Sequence, residues 1–495
     1  MPPCRARKTW RRRSARANWN LANVHDPSVM KAADGYYYMY QTDASYGNAH
    51  DGHGHFHARR SKDLVNWEYL GATMQEAPAW VKTKLNEIRA EQGLAPIENP
   101  WYGYWAPCAR KVNDHLYRMY YCIVVNNYIK TGGLTYDGSW TERAFIGVME
   151  TSDPASNNWE DKGFVICSSS DKGTNWNRAS EGDWNAYFKF NAIDPSFIIT
   201  PEGEHWLIYG SWHSGIAAVQ LNPETGKTLA ELPKSYGTAA EIAPYGKLIF
   251  TRTNGGRWQG AEAPEIVYHD GYYYLFLAYD GLDIPYNTRV LRSTKVDGPY
   301  ETLNGAVTDA SKGANNNPTV LTHPYKFSEG YGWVGISHCA VFDDGNGNWY
   351  YASQQRFPAN VGGNAYSNAI MMGGVRSIQW ESNGWPTVMP ERYGAVPQAS
   401  ISESELVGAW EHIDLSYSYG KQRTASEMVL GDDHKITSGA WKGAAWSFNA
   451  QTNTLTCNGV ELKVQREVDW EASPRKVTIV YSGLNGIKSY WGKKK

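Results

Sequence analysis

Three carboxylates of this chain stand in short phrases that look alike: Asp26 in His25-Asp26-Pro27-Ser28, Asp194 in Ile193-Asp194-Pro195-Ser196, and Glu262 in Glu262-Ala263-Pro264. Each phrase precedes a turn and an aromatic strand: Gly35-Tyr36-Tyr37-Tyr38, Gly203-Glu204-His205-Trp206 and Gly271-Tyr272-Tyr273-Tyr274. Two further copies have other residues at the marker: Trp105-Ala106-Pro107 before Leu116-Tyr117-Arg118-Met119-Tyr120, and His338-Cys339-Ala340 before Gly347-Asn348-Trp349-Tyr350. Carboxyl groups brought together can do acid–base work. One protonates the leaving oxygen of an acetal while another, on the far side of the ring, serves as base or nucleophile. A third supplies the like charge that keeps a proton on the acid near neutral pH. A single Asp-Pro reads as a turn or strand start; three at like positions of a repeat read as a site.

That reading requires elements that bring the copies face to face. The copies start roughly 70–90 residues apart, which accommodates the four-strand unit of about 40–50 residues found in common propeller repeats, plus long loops. A five-bladed β-propeller is the fold expected, and its radial blades converge Asp26, Asp194 and Glu262 on the central channel. From Asn23 to Tyr393 the chain reads as short aromatic and β-branched strands between Gly, Asn, Asp and Pro clusters. The exception is Ala79 to Gln92, whose Trp80, Val81, Leu85 and Ile88 fall near helical spacing. It is expected to be a helical insertion between the first two blades, over the rim of the channel. The small and polar residues after Gly394 read as a linker, and the strand-rich remainder suits a small antiparallel barrel or sandwich. The expected organisation is a basic tail over 1–20, the propeller over 21–394, a linker over 395–404 and a β-barrel over 405–495.

Composition narrows the chemistry. The 495 residues carry a net charge of −2, so no long-range field draws the protein to nucleic acid or to an anionic membrane. A neutral substrate fits. The 22 tryptophans and 34 tyrosines supply flat faces for sugar rings, although most are expected to serve as strand formers and core. No apolar run approaches the roughly 20 residues of a membrane span. Six scattered cysteines, Cys4, Cys108, Cys122, Cys167, Cys339 and Cys457, lack metal-ligand spacing and read as isolated thiols. The basic segment Met1 to Arg16 is not followed by the apolar stretch of a secretory signal. His50, His53, His55 and His57 form a rival metal-binding cluster.

Taken in order, His-Asp-Pro-Ser, Trp-Ala-Pro, Asn-Ala-Ile-Asp-Pro-Ser, Glu-Ala-Pro and a late Ser-His resemble glycoside hydrolase family 43, and within it the endo-acting α-1,5-L-arabinanases. The resemblance spans Asn23 to Tyr393. The second domain is similar to the carboxyl-terminal barrel of two-domain members, through Arg466 to Glu471 and Tyr490-Trp491-Gly492-Lys493. The resemblance implies Asp26 as general base, Glu262 as general acid, and Asp194 as the residue that tunes and orients the acid, with Glu265 a rival for the acid role. Inversion would place base and acid about 6.5–9.5 Å apart. It also implies a metal ion near the channel axis, Ca²⁺ or Na⁺, held by His338 and a shell of waters. Trp105, Trp212 and Ser211 would meet the sugar, while His25 and Asn191 would hold carboxylate orientation. Cys108 departs from the acidic residue usual after Trp-Ala-Pro. The implied partner is arabinan or its oligosaccharides, acted on by a monomer. Because arabinan lies outside cells, secretion is expected although no signal is visible. An exo-acting arabinofuranosidase or β-xylosidase shares the same trio, with the helix near Trp80 able to close one end of the cleft. A carbohydrate-binding propeller without catalysis is the alternative of a different class.

Overall fold

Hairpin turns recur because glycine recurs in them. Gly35, Gly203, Gly271 and Gly347 take φ of 83°, 85°, 86° and 91°, a left-handed region in which only glycine carries no Cβ penalty. Each lies between the first and second strands of a sheet. The computed structural model describes residues 19–43, 50–128, 141–170, 188–253 and 259–495; most of the basic segment expected over 1–20, and Cys4, lie outside them. Five antiparallel sheets follow one another, four of them four-stranded meanders and the fourth in order six-stranded. Their first strands, Ser28–Lys31, Tyr102–Asn113, Ser196–Ile199, Ala261–His269 and Val334–Asp343, pack side by side in a closed ring. This is a five-bladed β-propeller. The ring is fastened at its seam by the start of the chain. The Gly373 amide donates to the Leu21 carbonyl at 2.7 Å, and the Asn23 amide donates to the Met371 carbonyl at 2.8 Å.

Apolar clusters fill the wedges between blades. Tyr40, Tyr120, Tyr121 and Phe197 belong to the largest cluster and are fully or almost fully buried, so the abundant aromatics are mainly core. Cys108, Cys122, Cys167, Cys339 and Cys457 are free and buried. Among the described residues no helix is long and apolar enough to cross a membrane.

The marker phrases share a left-handed residue, and in three blades that residue sits in a bulge. Asp26, Ala106, Asp194, Ala263 and His338 have φ of 46°, 38°, 53°, 53° and 51°. In the second, fourth and fifth blades the strand register slips there, between Trp105 and Cys108, Glu262 and Glu265, and Ser337 and Cys339. A bulge of this kind re-aims a side chain and bends the strand. It also corrects the alignment of the repeat. Ala263, not Glu262, occupies the position of Asp26 and Asp194, and Glu262 stands one residue earlier, level with His25 and Trp105.

The expected helix forms over Ala79–Glu91. It buries Val81, Leu85 and Ile88, sets Trp80 edge-on to Phe145 and Phe164, and pairs Arg89 with Glu142 at 2.6 Å. Apolar side chains on one helical face required a partner, and the flank of the second blade supplies it.

The carboxyl-terminal domain is a single eight-stranded antiparallel sheet whose two ends are joined by a bridge between Lys435 and Ala445, making a nearly closed barrel. It is fused to the propeller. Tyr325–Lys326 pairs with Arg423–Thr424, the Trp491 indole donates to the Val388 carbonyl at 2.7 Å, and Trp385, Val388, Ile413, Leu484 and Trp491 share one apolar cluster.

Candidate active site

At one mouth of the channel lies a cavity of about 690 Å³. Its wall contains Asp26, Asp194, Glu262 and His338, together with His25, Trp105, Asn191, Ser211 and Trp212. The three carboxylates, His338 and the five residues expected to meet the sugar or orient the carboxylates are therefore brought to one place. In the second, fourth and fifth blades a register slip does this within the first strand, and in the first and third blades Asp26 and Asp194 stand just before the strands that begin at Ser28 and Ser196.

The carboxylates sit in unlike surroundings. Asp26 Oδ2 accepts from the Thr42 hydroxyl at 2.7 Å, and Oδ1 lies 2.8 Å from His338 Nδ1 and 3.2 Å from His25 Nε2. Thr42 Oγ1 in turn accepts from the Ala106 amide at 2.7 Å, tying the first blade to the second. Burial alone would raise the pKa of Asp26, but His25 and His338 hold it well below the usual carboxylate range. Burial lowers His25 to about 4. For His338 burial pulls downward too, yet Asp26, aided by Asp194 and Glu262, pushes it up to about 9.

Asp194 feels the charge of His338 as well, but among the described residues it makes no ion pair with an imidazole. Its Oδ2 accepts from the Ala263 amide at 3.0 Å, and burial, reinforced by the charges of Glu262 and Asp26, raises it to about 7. Glu262 is gripped at both oxygens: Ser211 Oγ donates to Oε2 at 2.8 Å and the Tyr286 hydroxyl to Oε1 at 2.6 Å. Burial raises its pKa against the opposing pull of Tyr286, His338 and Ser211. Asn191 acts one step removed, donating from Nδ2 to the Ser211 carbonyl at 2.8 Å. Trp212, with φ of 56°, has its backbone zipped to the strand carrying Glu262, its amide donating to the Ala261 carbonyl at 3.0 Å and its carbonyl accepting from the Gln259 amide at 2.7 Å.

Glu265 does not reach this cavity. It lies beneath the floor, bidentate to Arg110 Nη2 at 2.6 and 2.7 Å and accepting from Ser196 Oγ at 2.8 Å and the Val341 amide at 2.9 Å. Above that plug the channel narrows to a void of about 20 Å³ walled by Pro27, Pro107, Pro195 and Pro264.

The cluster of histidines in the first blade is otherwise engaged. His55 pairs with Asp43 and stacks on Tyr104, while His57 bonds Tyr69 and stacks on His50. Among the described residues the one grouping of three acidic or imidazole side chains able to hold a metal ion is Glu391, Asp469 and Glu471. It lies between propeller and barrel, not on the channel axis, and the Lys493 ammonium is set into it at 3.0, 2.8 and 2.7 Å.

Thr42 and Tyr286 were not singled out from the sequence, although each bonds directly to a cavity carboxylate. Both follow or precede a strand outside the repeated phrase, so no pattern marks them. Leu282 and Asp283, in the wall beside Tyr286, share that silence.

Residues 21–386 match the family described as Glycosyl hydrolases family 43, and residues 390–492 match its C-terminal lipocalin-like domain. An extracellular endo-α-(1→5)-L-arabinanase of Thermotoga petrophila is 27% identical, over 95% of this chain and 93% of its own. Extracellular endo-α-(1→5)-L-arabinanase 2 of Bacillus subtilis is 25% identical, over 95% and 93%. The crystal structure of an endo-1,5-α-L-arabinanase from Thermotoga petrophila RKU-1 superposes with a TM-score of 0.70 at 24% identity, covering 96% of this chain and 99% of that one. With both domains matched and the first match spanning well over half its length, this chain belongs to glycosyl hydrolase family 43.

Proposed function

We propose that the protein is an endo-acting arabinanase, which hydrolyses α-1,5-L-arabinofuranosidic bonds of arabinan with inversion at the anomeric carbon. The observation that carries the chemistry is the unlike surroundings of three buried carboxyl groups in one open cavity, Asp26 against two imidazoles and Glu262 between two hydroxyls. Asp26, held ionised by its histidines, is the base that takes a proton from the attacking water. Glu262, its pKa raised by burial, is the acid that gives a proton to the departing oxygen, and Ser211 and Tyr286 hold it in place. Asp194, held by the Ala263 amide next to Glu262, orients the acid, and where it is ionised its like charge keeps the proton on Glu262. The faces of Trp105 and Trp212 suit furanose rings, with His25 and Asn191 supporting the groups that grip the acid and base. Names of the curated relatives support an arabinan substrate and an extracellular setting, and secretion is proposed on that ground. All of these groups come from one chain, which supports action as a monomer.

An ion near the channel axis, Ca²⁺ or Na⁺, would find one imidazole donor here, His338, and only in its neutral form, because the ring that Asp26 pushes up to about 9 otherwise holds a proton on each nitrogen. His338 Nδ1 faces Asp26, and among the described residues no protein group bonds Nε2. Among the described residues no three acidic or imidazole side chains are grouped at that point as ligands, so water would complete the shell of six to eight ligands that Ca²⁺ takes. Such an ion would offset the charge of the carboxylates.

The test is product chromatography after incubating debranched linear arabinan with the protein and with Glu262→Gln. A ladder of short arabino-oligosaccharides is expected from the parent, with turnover lower by about 10²–10⁴-fold in the variant. Arabinose as the first and sole product would overturn the endo mode, and undiminished turnover by the variant would overturn the acid assignment.

A further inference from the structure

A second groove of about 400 Å³ opens beside the catalytic cavity, and Trp212 is common to the walls of both. Its remaining lining is polar: Arg252, Gln259, Asn315 and Asn316 with nearby backbone. The guanidinium carries no free charge into the groove, because Arg252 Nη1 is paired with Asp280 Oδ1 at 2.8 Å. Gln259 is engaged by the Thr253 backbone, whose amide donates to Oε1 at 2.9 Å and whose carbonyl accepts from Nε2 at 3.2 Å, so the polar groups left to the groove are the amides of Asn315 and Asn316 and the edge of the guanidinium, beside Trp212. That chemistry suits a neutral polyol rather than an anion. The volume lies in the range of about 300–1,000 Å³ usual for small-molecule sites.

The groove is built rather than incidental. Arg252 Nη1 also donates to the Gly260 carbonyl at 2.7 Å, Nη2 donates to Asn316 Oδ1 at 3.1 Å, and the guanidinium lies 4.2 Å over the Tyr279 ring. Backbone bonds from Ala314 to Thr251 at 2.7 Å and from Asn315 to Arg252 at 2.6 Å fasten the two sides of the floor. Gly260 lets them close up, since a Cβ there would stand 3.1 Å from Arg252 Nη1.

The residue that orients Arg252 is itself oriented from the other domain. Asp280 Oδ2 accepts from the hydroxyl of Tyr417, in the barrel, at 2.9 Å and from Asn287 Nδ2 at 3.0 Å. Tyr417 is fixed by Arg289, 4.8 Å over its ring, and by the neighbouring Ser418 amide, which donates to His323 Nε2 at 3.1 Å. Gly281, Leu282 and Asp283, which follow Asp280 directly, line the catalytic cavity.

We propose that this groove is a distal binding site for arabinosyl units of the chain being cleaved, running on past Trp212, and that Tyr417 is a positioning residue through which the barrel keeps the groove in shape. The proposal rests on the arabinanase reading. It is tested by measuring kcat and KM on linear arabino-oligosaccharides from trimer to octamer for the parent, Asn316→Ala and Tyr417→Phe. In the parent kcat/KM rises with chain length. Both variants are expected to lose about 5- to 10-fold of that rise, the scale of one hydrogen bond, through KM while kcat on the octamer holds. Tyr417→Phe keeps its ring on Arg289, so merely structural damage would instead lower kcat at every length. Unchanged length dependence in both variants overturns the site. Loss in Tyr417→Phe alone overturns the groove as the binding surface, and loss in Asn316→Ala alone overturns the positioning role. A parent that cleaves no oligosaccharide overturns the arabinanase reading and this inference with it.

Discussion

Aspartates 26 and 194 occupy the same place in two blades, yet they titrate in opposite directions. The difference lies in their neighbours. Asp26 meets two imidazoles, whereas Asp194 is bonded by one backbone amide, and there burial and the fields of two other carboxylates outweigh the pull of His338. For Asp194 the sign of the pH effect follows. Its folded-state pKa, about 7, lies above the ordinary aspartate value of 3.8, so the folded protein binds this proton more tightly than the unfolded chain does. The stability so gained is complete below about pH 4 and is lost as pH climbs through 7. Asp194→Asn keeps an oxygen for the Ala263 amide and cannot ionise. It should therefore raise Tm by about 2–4 °C at pH 8 and leave it unchanged at pH 4, while kcat falls about 10²-fold or more for want of the tuning charge. Thermal scans at the two pH values check this; an equal fall in Tm at both would refute the charge-based account.

At the scale of the element, the bulge explains both what was legible in the sequence and what was not. The proline-marked phrase recurs because the first strand of four blades needs a break at the channel mouth, and that much is visible as text. The extra residue is not visible, because a register slip is defined only against the partner strand. Glu262 thus looked equivalent to Asp26 and Asp194, while the structure gives that place to Ala263. Thr42 and Tyr286 were illegible for a related reason: they reach the site from ends of other strands, where only the closed ring brings them near. The helix over Ala79–Glu91 was readable from its spacing, but which surface would cover its apolar face was not. Ala263 affords a test of the bulge. It is 3% exposed with φ of 53°, a conformation that costs a side-chain-bearing residue roughly 1–2 kcal/mol and a β-branched one more. Ala263→Val should lower stability by at least about 2 kcal/mol and kcat by about 10²-fold, since a displacement of Glu262 near 1 Å is costly. Ala263→Gly should keep the activity of the parent. Denaturant unfolding and turnover on the same preparations compare the two.

Across the whole molecule the barrel and propeller behave as one body because a buried charge is shared between them. Lys493 reaches from the last strand of the barrel to Glu391 of the propeller and to Asp469 and Glu471 of its own domain, and its side chain is 3% exposed. One ammonium cannot neutralise three carboxylates. Glu391 responds by keeping its proton, its pKa driven well above the usual range by burial and then by Glu471. Removing one partner of a buried ionic group leaves the others uncompensated, at a cost of about 3–5 kcal/mol. Lys493→Met should accordingly lower Tm and expose the segment between Val388 and Gly408 to protease, with the propeller surviving as the resistant core. The consequence for catalysis is selective. The trio at the channel mouth is held by propeller residues alone, whereas Tyr417 arrives from the barrel. Loosening the interface should therefore spare hydrolysis of the trimer and erode the preference for long chains. If Lys493→Met instead abolished turnover on every length equally, the barrel would be bracing the catalytic cavity itself and not the groove beside it.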